Sequence, residues 1–94
     1  MEQSKFNLQN KFCLITGAAG LLGKEHALAL LEINANLILT DINISKLKFL
    51  KKEIDKLQLK SNILIYKMDV SKEESIKKVV KKLNEKKISL HVLI

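Results

Sequence analysis

The chain has no proline, no tryptophan and no arginine, one cysteine, and only three glycines among its 94 residues. Each shortage excludes something. A lone cysteine cannot form a disulfide framework within the chain. Cys13 lies inside an apolar run with nothing beside it in sequence to lower its pKa, so it reads as a small buried hydrophobe. Without arginine the chain lacks the planar fork that reads guanine bidentately and stacks on bases. All 17 basic residues are lysines, and with 10 acidic residues they leave a net charge of +7. They are interleaved with Glu and Asp along helical stretches, as on solvated helix faces rather than a nucleic-acid surface. The first residues, Met1 to Lys11, are polar and contain no apolar core of a signal peptide. No run approaches the roughly 18 apolar residues of a membrane span. The expectation is a cytoplasmic chain with neither nucleic acid nor membrane as partner.

What is present suits one small globular unit. Apolar residues make up 47% and charged residues 29%, a composition that folds rather than stays disordered. At this length the buried share of surface is modest, so the stability margin is thin. No repeat, low-complexity tract or linker divides the chain. Short aliphatic runs alternate with longer helical periods. The runs are Phe12–Thr16, Asn36–Thr40, Ile63–Tyr66 and Leu90–Ile94. Continuous rather than alternating apolar runs suit strands covered on both faces, hence a parallel sheet.

Three amphipathic segments lie between them. Gly20–Ile33 carries Leu22, Ala27, Leu30 and Leu31; Ile44–Leu59 carries Ile44, Leu47, Leu50, Ile54 and Leu57; Ser71–Lys87 carries Ile76, Val79, Val80 and Leu83. Ser71 and Glu74 have the spacing of a capping box at the start of the third. The order β-α-β-α-β-α-β with right-handed crossovers predicts an α/β fold: the first half of a Rossmann doubly wound parallel sheet, strand order 3-2-1-4. The expected division is a lead over residues 1–10 and one partial domain over 11–94.

All three glycines fall in one segment, Thr16-Gly17-Ala18-Ala19-Gly20-Leu21-Leu22-Gly23, between the first strand and the first helix. That context gives the spacing its meaning. Gly17 is expected to permit the tight turn where a Cβ would clash, Gly20 to let the backbone approach a pyrophosphate, and Gly23 to let the helix pack closely on the sheet. Amides at the helix start, with the positive end of its dipole, would hold the phosphates. The candidate contacts in this loop are Gly17, Ala19, Gly20, Leu22 and Gly23. Asp41 closes the second strand, where a carboxylate accepts from ribose hydroxyls and repels a 2′-phosphate, favouring NAD over NADP. Positions 42 and 43 hold no Lys or Arg to welcome that phosphate. Asp41 also reads as a helix N-cap, a role open to Asn43. Asp69 and Val70 follow the third strand. Asp69 could reach the adenine amino group and Val70 could pack on the base, or Asp69 is a turn residue ahead of the cap.

With TGAAGLLG at 16–23, Asp41, MDV at 68–70 and ISLHVLI at 88–94 in this order, the chain resembles the short-chain dehydrogenase/reductase family over residues 10–94. The resemblance implies an oxidoreductase that moves a hydride between a nicotinamide cofactor and a carbonyl or alcohol. It covers about the first third of a typical member, and the fourth strand is where an Asn-Asn-Ala-Gly run normally follows. Two positions depart from the pattern. Leu21 stands where the single-domain branch has glycine, a spacing similar to the extended branch that acts on nucleotide sugars, and the mixture resembles some bacterial members associated with surface glycans. His91 stands where aspartate is common and reads as structural.

The family's catalytic Ser and Tyr-x-x-x-Lys lie beyond the fourth strand. The only tyrosine, Tyr66, is followed four residues later by Val70. No catalytic residue and no metal ligand is therefore assigned, and the chain alone is expected to be inactive. Competing readings are a stand-alone nucleotide-binding module and a non-functional truncated product. Against the module stands the fourth strand, an aliphatic edge without its usual neighbours. Homo-oligomerisation is expected only of a full-length parent.

Overall fold

A computed structural model of the chain describes residues 11–94; the lead expected over 1–10 lies outside them. The elements run β1 (Phe12–Ile15), α1 (Leu21–Leu31), β2 (Asn36–Asp41), α2 (Ile44–Asp55), β3 (Ile63–Lys67), α3 (Glu73–Glu85) and β4 (Leu90–Leu93). The four strands form one parallel sheet in the order β3-β2-β1-β4, as the sequence predicts.

Side chains alternate across the strands, so the sheet carries two separate cores. On one face Cys13, Ile15, Leu37 and Leu39 meet Ala27 and Leu31 of α1 and Leu47, Leu50 and Ile54 of α2. On the other, Leu14 and Ile38 meet Met68 and Val79 and Leu83 of α3, flanked by Phe12, Leu64 and Tyr66. Helices α1 and α2 thus cover one side and α3 the other. The connections change side at β3, and the crevice between β1 and β4 is where a doubly wound sheet opens. Two polar side chains buried in β2 are satisfied: the Thr40 hydroxyl donates to the Ile15 carbonyl at 2.9 Å, and Asn36 Oδ1 accepts from the Asn62 amide at 2.8 Å. Cys13 is fully buried in this core, and burial pushes its thiol pKa up.

Several local expectations are corrected. All three helices are shorter than the periodic segments suggest. Leu57 lies beyond α2 and is exposed, and Leu22, on the first turn of α1, faces solvent. The capping box does not form. The Ser71 hydroxyl donates to Asp69 Oδ1 at 2.6 Å, a charge-assisted bond, and Ser71 lies one residue before the N-cap, Lys72. Helix α3 then starts two residues later, after Lys72, with Glu73 and Glu74 in its first turn to complement the dipole. The N-cap of α2 is Asn43, whose Oδ1 accepts from the Lys46 amide at 3.1 Å, so Asp41 is not the cap.

The glycine shortage has a structural consequence. The left-handed residue that ends each helix is Asn34 (φ 63°), Gln58 (φ 55°) or Lys87 (φ 58°) rather than glycine. After α3 the terminating bonds run from the Lys87 amide to Asn84 and from the Ile88 amide to Leu83, at 3.0 Å each. A non-glycine residue there costs about 1–2 kcal/mol, least for asparagine.

Among the described residues edge strand β4 pairs with β1 alone, with a register irregularity that leaves His91 between the pairs Phe12–Leu90 and Cys13–Val92. Leu90, His91 and Leu93 are exposed along it. Tyr66 faces α3, with Lys82 Nζ 5.5 Å from its ring centroid.

Candidate functional site

The glycine loop leaves β1 at the carboxyl end of the sheet. Gly17 has φ +60°, a conformation that residues with a Cβ rarely adopt. A Cβ built there meets nothing within 4 Å. The requirement at Gly17 is therefore conformational, not the expected clash. Gly23 is the sterically constrained position: a Cβ there would stand 2.5 Å from the Gly17 oxygen and 2.7 Å from Ala18 Cα. The first turn of α1 is thus wedged against the loop backbone rather than against the sheet, as the sequence had suggested. Gly20 is the N-cap of α1 and is exposed, and a Cβ there would make only an ordinary contact, 3.4 Å from the Gly17 oxygen.

The loop is tied to the end of β2. The Ala18 amide donates to the Thr40 carbonyl at 2.9 Å, and the Ala19 amide donates to Asp41 Oδ2 at 3.0 Å. Thr16 ties it to β4, its amide and hydroxyl both donating to the Ile94 carbonyl. No side chain caps α1, and the amides of Leu21, Leu22 and Gly23 have no intrahelical acceptor, being in the first turn. The helix therefore presents donors and the positive end of its dipole.

Gly17, Asp41, Asp69 and Val70, four of the candidate residues, line one groove of about 270 Å³ together with Ile42 and Met68. The Asp41 Oδ1 accepts from the Asn43 amide at 2.9 Å. Asp69 is held on three sides: its amide donates to Ser75 Oγ at 2.8 Å, and its Oδ1 accepts from the Ser71 hydroxyl and the Ser71 amide. The Ser71 hydroxyl, then the Ser71 amide, hold the Asp69 carboxyl below its ordinary pKa. Val70 is 59% exposed and forms an apolar wall.

The remaining candidates lie elsewhere. Ala19 and Gly20 line a second hollow, of about 380 Å³, with Leu21, Lys24, Lys46 and Phe49. Leu22 and Gly23 line neither of these two hollows. Ile42 and Met68 were not among the candidate contacts, Met68 entering only as part of MDV at 68–70; they neighbour acidic residues at the carboxyl ends of β2 and β3, where parallel sheets take ligands, and that rule could have found them. Ser75 was missed because its role depends on where α3 begins.

A hollow of about 480 Å³ along the outer face of α3, lined by Ile76, Val80 and Lys81 among others, contains none of the candidate residues. Among the described residues no group of His, Cys, Asp or Glu is arranged to hold a metal ion.

The family pattern described as short chain dehydrogenase matches residues 11–94. The chain belongs to the short-chain dehydrogenase family. It is 43% identical over 49 residues to the short chain dehydrogenase/reductase dpfgG of Gibberella zeae, a match covering 52% of this chain and 18% of that protein. Among solved structures, 2-keto-3-deoxy-D-gluconate dehydrogenase from Streptococcus agalactiae superposes with a TM-score of 0.83 at 27% identity, over 99% of this chain and 35% of its own. NAD+-bound xylitol dehydrogenase gives a TM-score of 0.82 at 27% identity, over 92% of this chain and 32% of its own. This short-chain dehydrogenase chain thus spans about a third of the solved chains it resembles. None of its described helices is long and apolar enough to cross a membrane.

Proposed function

We propose that this chain is the NAD-binding N-terminal portion of a short-chain dehydrogenase/reductase, with residues 11–94 forming the first half of its dinucleotide-binding domain. One observation carries the reading: a single groove gathers a positive-φ glycine, a carboxylate at the end of β2, and the Asp69-Val70 pair. The residues fit the group. Unpaired amides and an exposed Gly20 at the α1 N-terminus would take the pyrophosphate. Asp41 would accept from the adenosine ribose hydroxyls, and Asp69 and Val70 would meet the adenine. Gly17, Ala19, Leu22 and Gly23 shape or border this cradle.

When bound, the nicotinamide supplies the hydride chemistry. The residues of this chain bind and orient its adenosine half. No proton-transfer group is assigned here, since Tyr66 lies in β3 against α3 rather than in the groove. The reading places the protein in the cytoplasm, leaves the carbonyl or alcohol substrate open, and makes the chain alone incapable of turnover.

The preference for NAD over NADP rests on Asp41, whose negative charge opposes a 2′-phosphate in the same groove. Isothermal titration of the purified chain with NAD and NADP tests both parts. We expect NAD to bind at least tenfold more tightly than NADP. Equal affinities would remove the NAD preference, and absence of binding to either would remove the nucleotide-binding role. Turnover of an alcohol by the chain alone would overturn its assignment as a non-catalytic portion.

A further inference from the structure

Outside regular secondary structure, the glycine loop hangs on few bonds. Two of them reach β2: the Ala18 amide to the Thr40 carbonyl, and the Ala19 amide to Asp41 Oδ2 at 3.0 Å. The first is backbone to backbone. The second depends on a side chain, is partly shielded from water, and carries a full negative charge on its acceptor, which makes such a bond shorter and stronger than a neutral one. The carboxylate is not free to swing away, because Oδ1 is held by the Asn43 amide at 2.9 Å, one residue before α2. Asp41 therefore bridges the loop that opens α1 and the residue that caps α2.

We propose that Asp41 is a positioning residue for the glycine loop as well as a reader of ribose: its carboxylate holds the Ala19 amide and so sets the phosphate cradle before any nucleotide arrives. Ala19 is adjacent to Gly20, the N-cap of α1, and the donors of Leu21, Leu22 and Gly23 follow directly. Fixing the Ala19 amide fixes the direction in which those donors point. Each carboxylate oxygen keeps a further lone pair, so the loop bond and a ribose contact coexist. The consequence is specific. Replacing Asp41 by a neutral residue does not convert NAD preference into NADP preference. It weakens both dinucleotides, because the part of the site that meets the phosphates they share loses its anchor.

The clamp itself is a property of the ligand-free protein; its effect on affinity rests on the proposed nucleotide site. The test therefore has two arms, both on the whole chain. In the first, amide hydrogen exchange is followed by NMR without ligand in the wild type, Asp41→Ala and Asp41→Asn. The expected result is Ala19 exchange at least tenfold faster in Asp41→Ala and intermediate in Asp41→Asn, whose single carbonyl oxygen replaces two charged ones. The amides of Leu37 and Leu39 in β2 should be unchanged. If Asp41→Ala loses that protection as well, Asp41→Asn alone decides.

In the second arm, binding of ADP and of 2′,3′-dideoxyadenosine 5′-diphosphate is titrated. A carboxylate that only reads hydroxyls would affect ADP and leave the dideoxy nucleotide alone. The clamp predicts that Asp41→Ala weakens both, the dideoxy compound by tenfold or more. Unchanged Ala19 exchange overturns the proposal, as does a dideoxy affinity equal to wild type. Failure of the wild type to bind either nucleotide refutes the nucleotide-site reading, and the exchange arm then decides the clamp by itself.

Discussion

Gly23→Ala is the substitution for which the structure gives the largest effect from the smallest change. The added carbon would lie 2.5 Å from the Gly17 oxygen, 2.7 Å from Ala18 Cα and 3.0 Å from the Ala18 carbonyl carbon. Favourable non-bonded contacts lie near 3.5–4.0 Å, so the overlap is about 1 Å. All three atoms belong to the backbone, and none can rotate away. Either α1 lifts or the loop moves, and loop movement breaks the Ala18–Thr40 and Ala19–Asp41 bonds. Overpacking costs about 1–3 kcal/mol, and with only backbone to yield we place this case at about 3 kcal/mol. A chain of this length has about 5–14 kcal/mol of stability in total. The corresponding loss of melting temperature is about 12–24 °C, at about 4–8 °C per kcal/mol for a domain of this size.

The other two glycines serve as internal controls. Gly17→Ala meets no neighbour and costs only its positive φ, about 1–2 kcal/mol. Gly20→Ala loses the glycine preference at an N-cap, under about 1 kcal/mol, yet places a methyl at the exposed start of α1 and should lower nucleotide affinity at least tenfold. Thermal melting and nucleotide titration of the three variants therefore separate fold from site. A Gly23→Ala melt within about 2 °C of wild type with unchanged affinity would refute the wedge between α1 and its loop.

Two further outcomes are expected. Lys87→Gly should stabilise the chain by about 1 kcal/mol by relieving a left-handed lysine after α3, and a melting point that falls would show that this turn is not strained. Ser71→Ala should raise the Asp69 pKa toward its ordinary 3.8, read by carboxyl-carbon NMR. Because the wild-type folded value lies below the unfolded one, the stability this contact adds is complete above the unfolded pKa and lost as pH falls through the folded one. Wild type and variant should therefore converge in stability on the acid side, and a pKa unmoved by the substitution would remove Ser71 as the cause.

The architecture was legible because the aliphatic runs are continuous. Leu37, Ile38 and Leu39 are all fully buried, and only a strand covered on both faces needs three apolar residues in succession. The candidate groove was legible where chemistry is local: Gly17, Asp41, Asp69 and Val70, which line it together, were each visible as residue types near strand ends. What escaped depends on competition between partners. Ser71 had the sequence context of a cap, but α3 begins after Lys72 and Ser71 turns to Asp69 instead. Leu22 fits the helical period, yet it is exposed on the first turn of α1. Gly17 does serve the tight turn, but through its positive φ rather than a Cβ clash, and Gly23 does allow close packing, but against the loop backbone rather than the sheet.

The two cores are unequal, and this sets the order in which the molecule comes apart. Among the described residues the α1–α2 side buries eleven in one cluster and the α3 side five, and neighbouring β4 keeps exposed leucines along its edge. Opening free energies follow buried contact, so α3 with β4 forms the unit that opens first, and native-state hydrogen exchange reads that order directly. The groove straddles the boundary: Gly17 and Asp41 belong to the persistent unit, while Asp69 is bonded to the first turn of α3. On the proposed reading, a nucleotide bound across it would raise the opening cost of both units at once, by about 2.7 kcal/mol at a hundredfold excess over its dissociation constant. Occupancy would then add a second source of cohesion to the packing of α3 on Leu14 and Ile38.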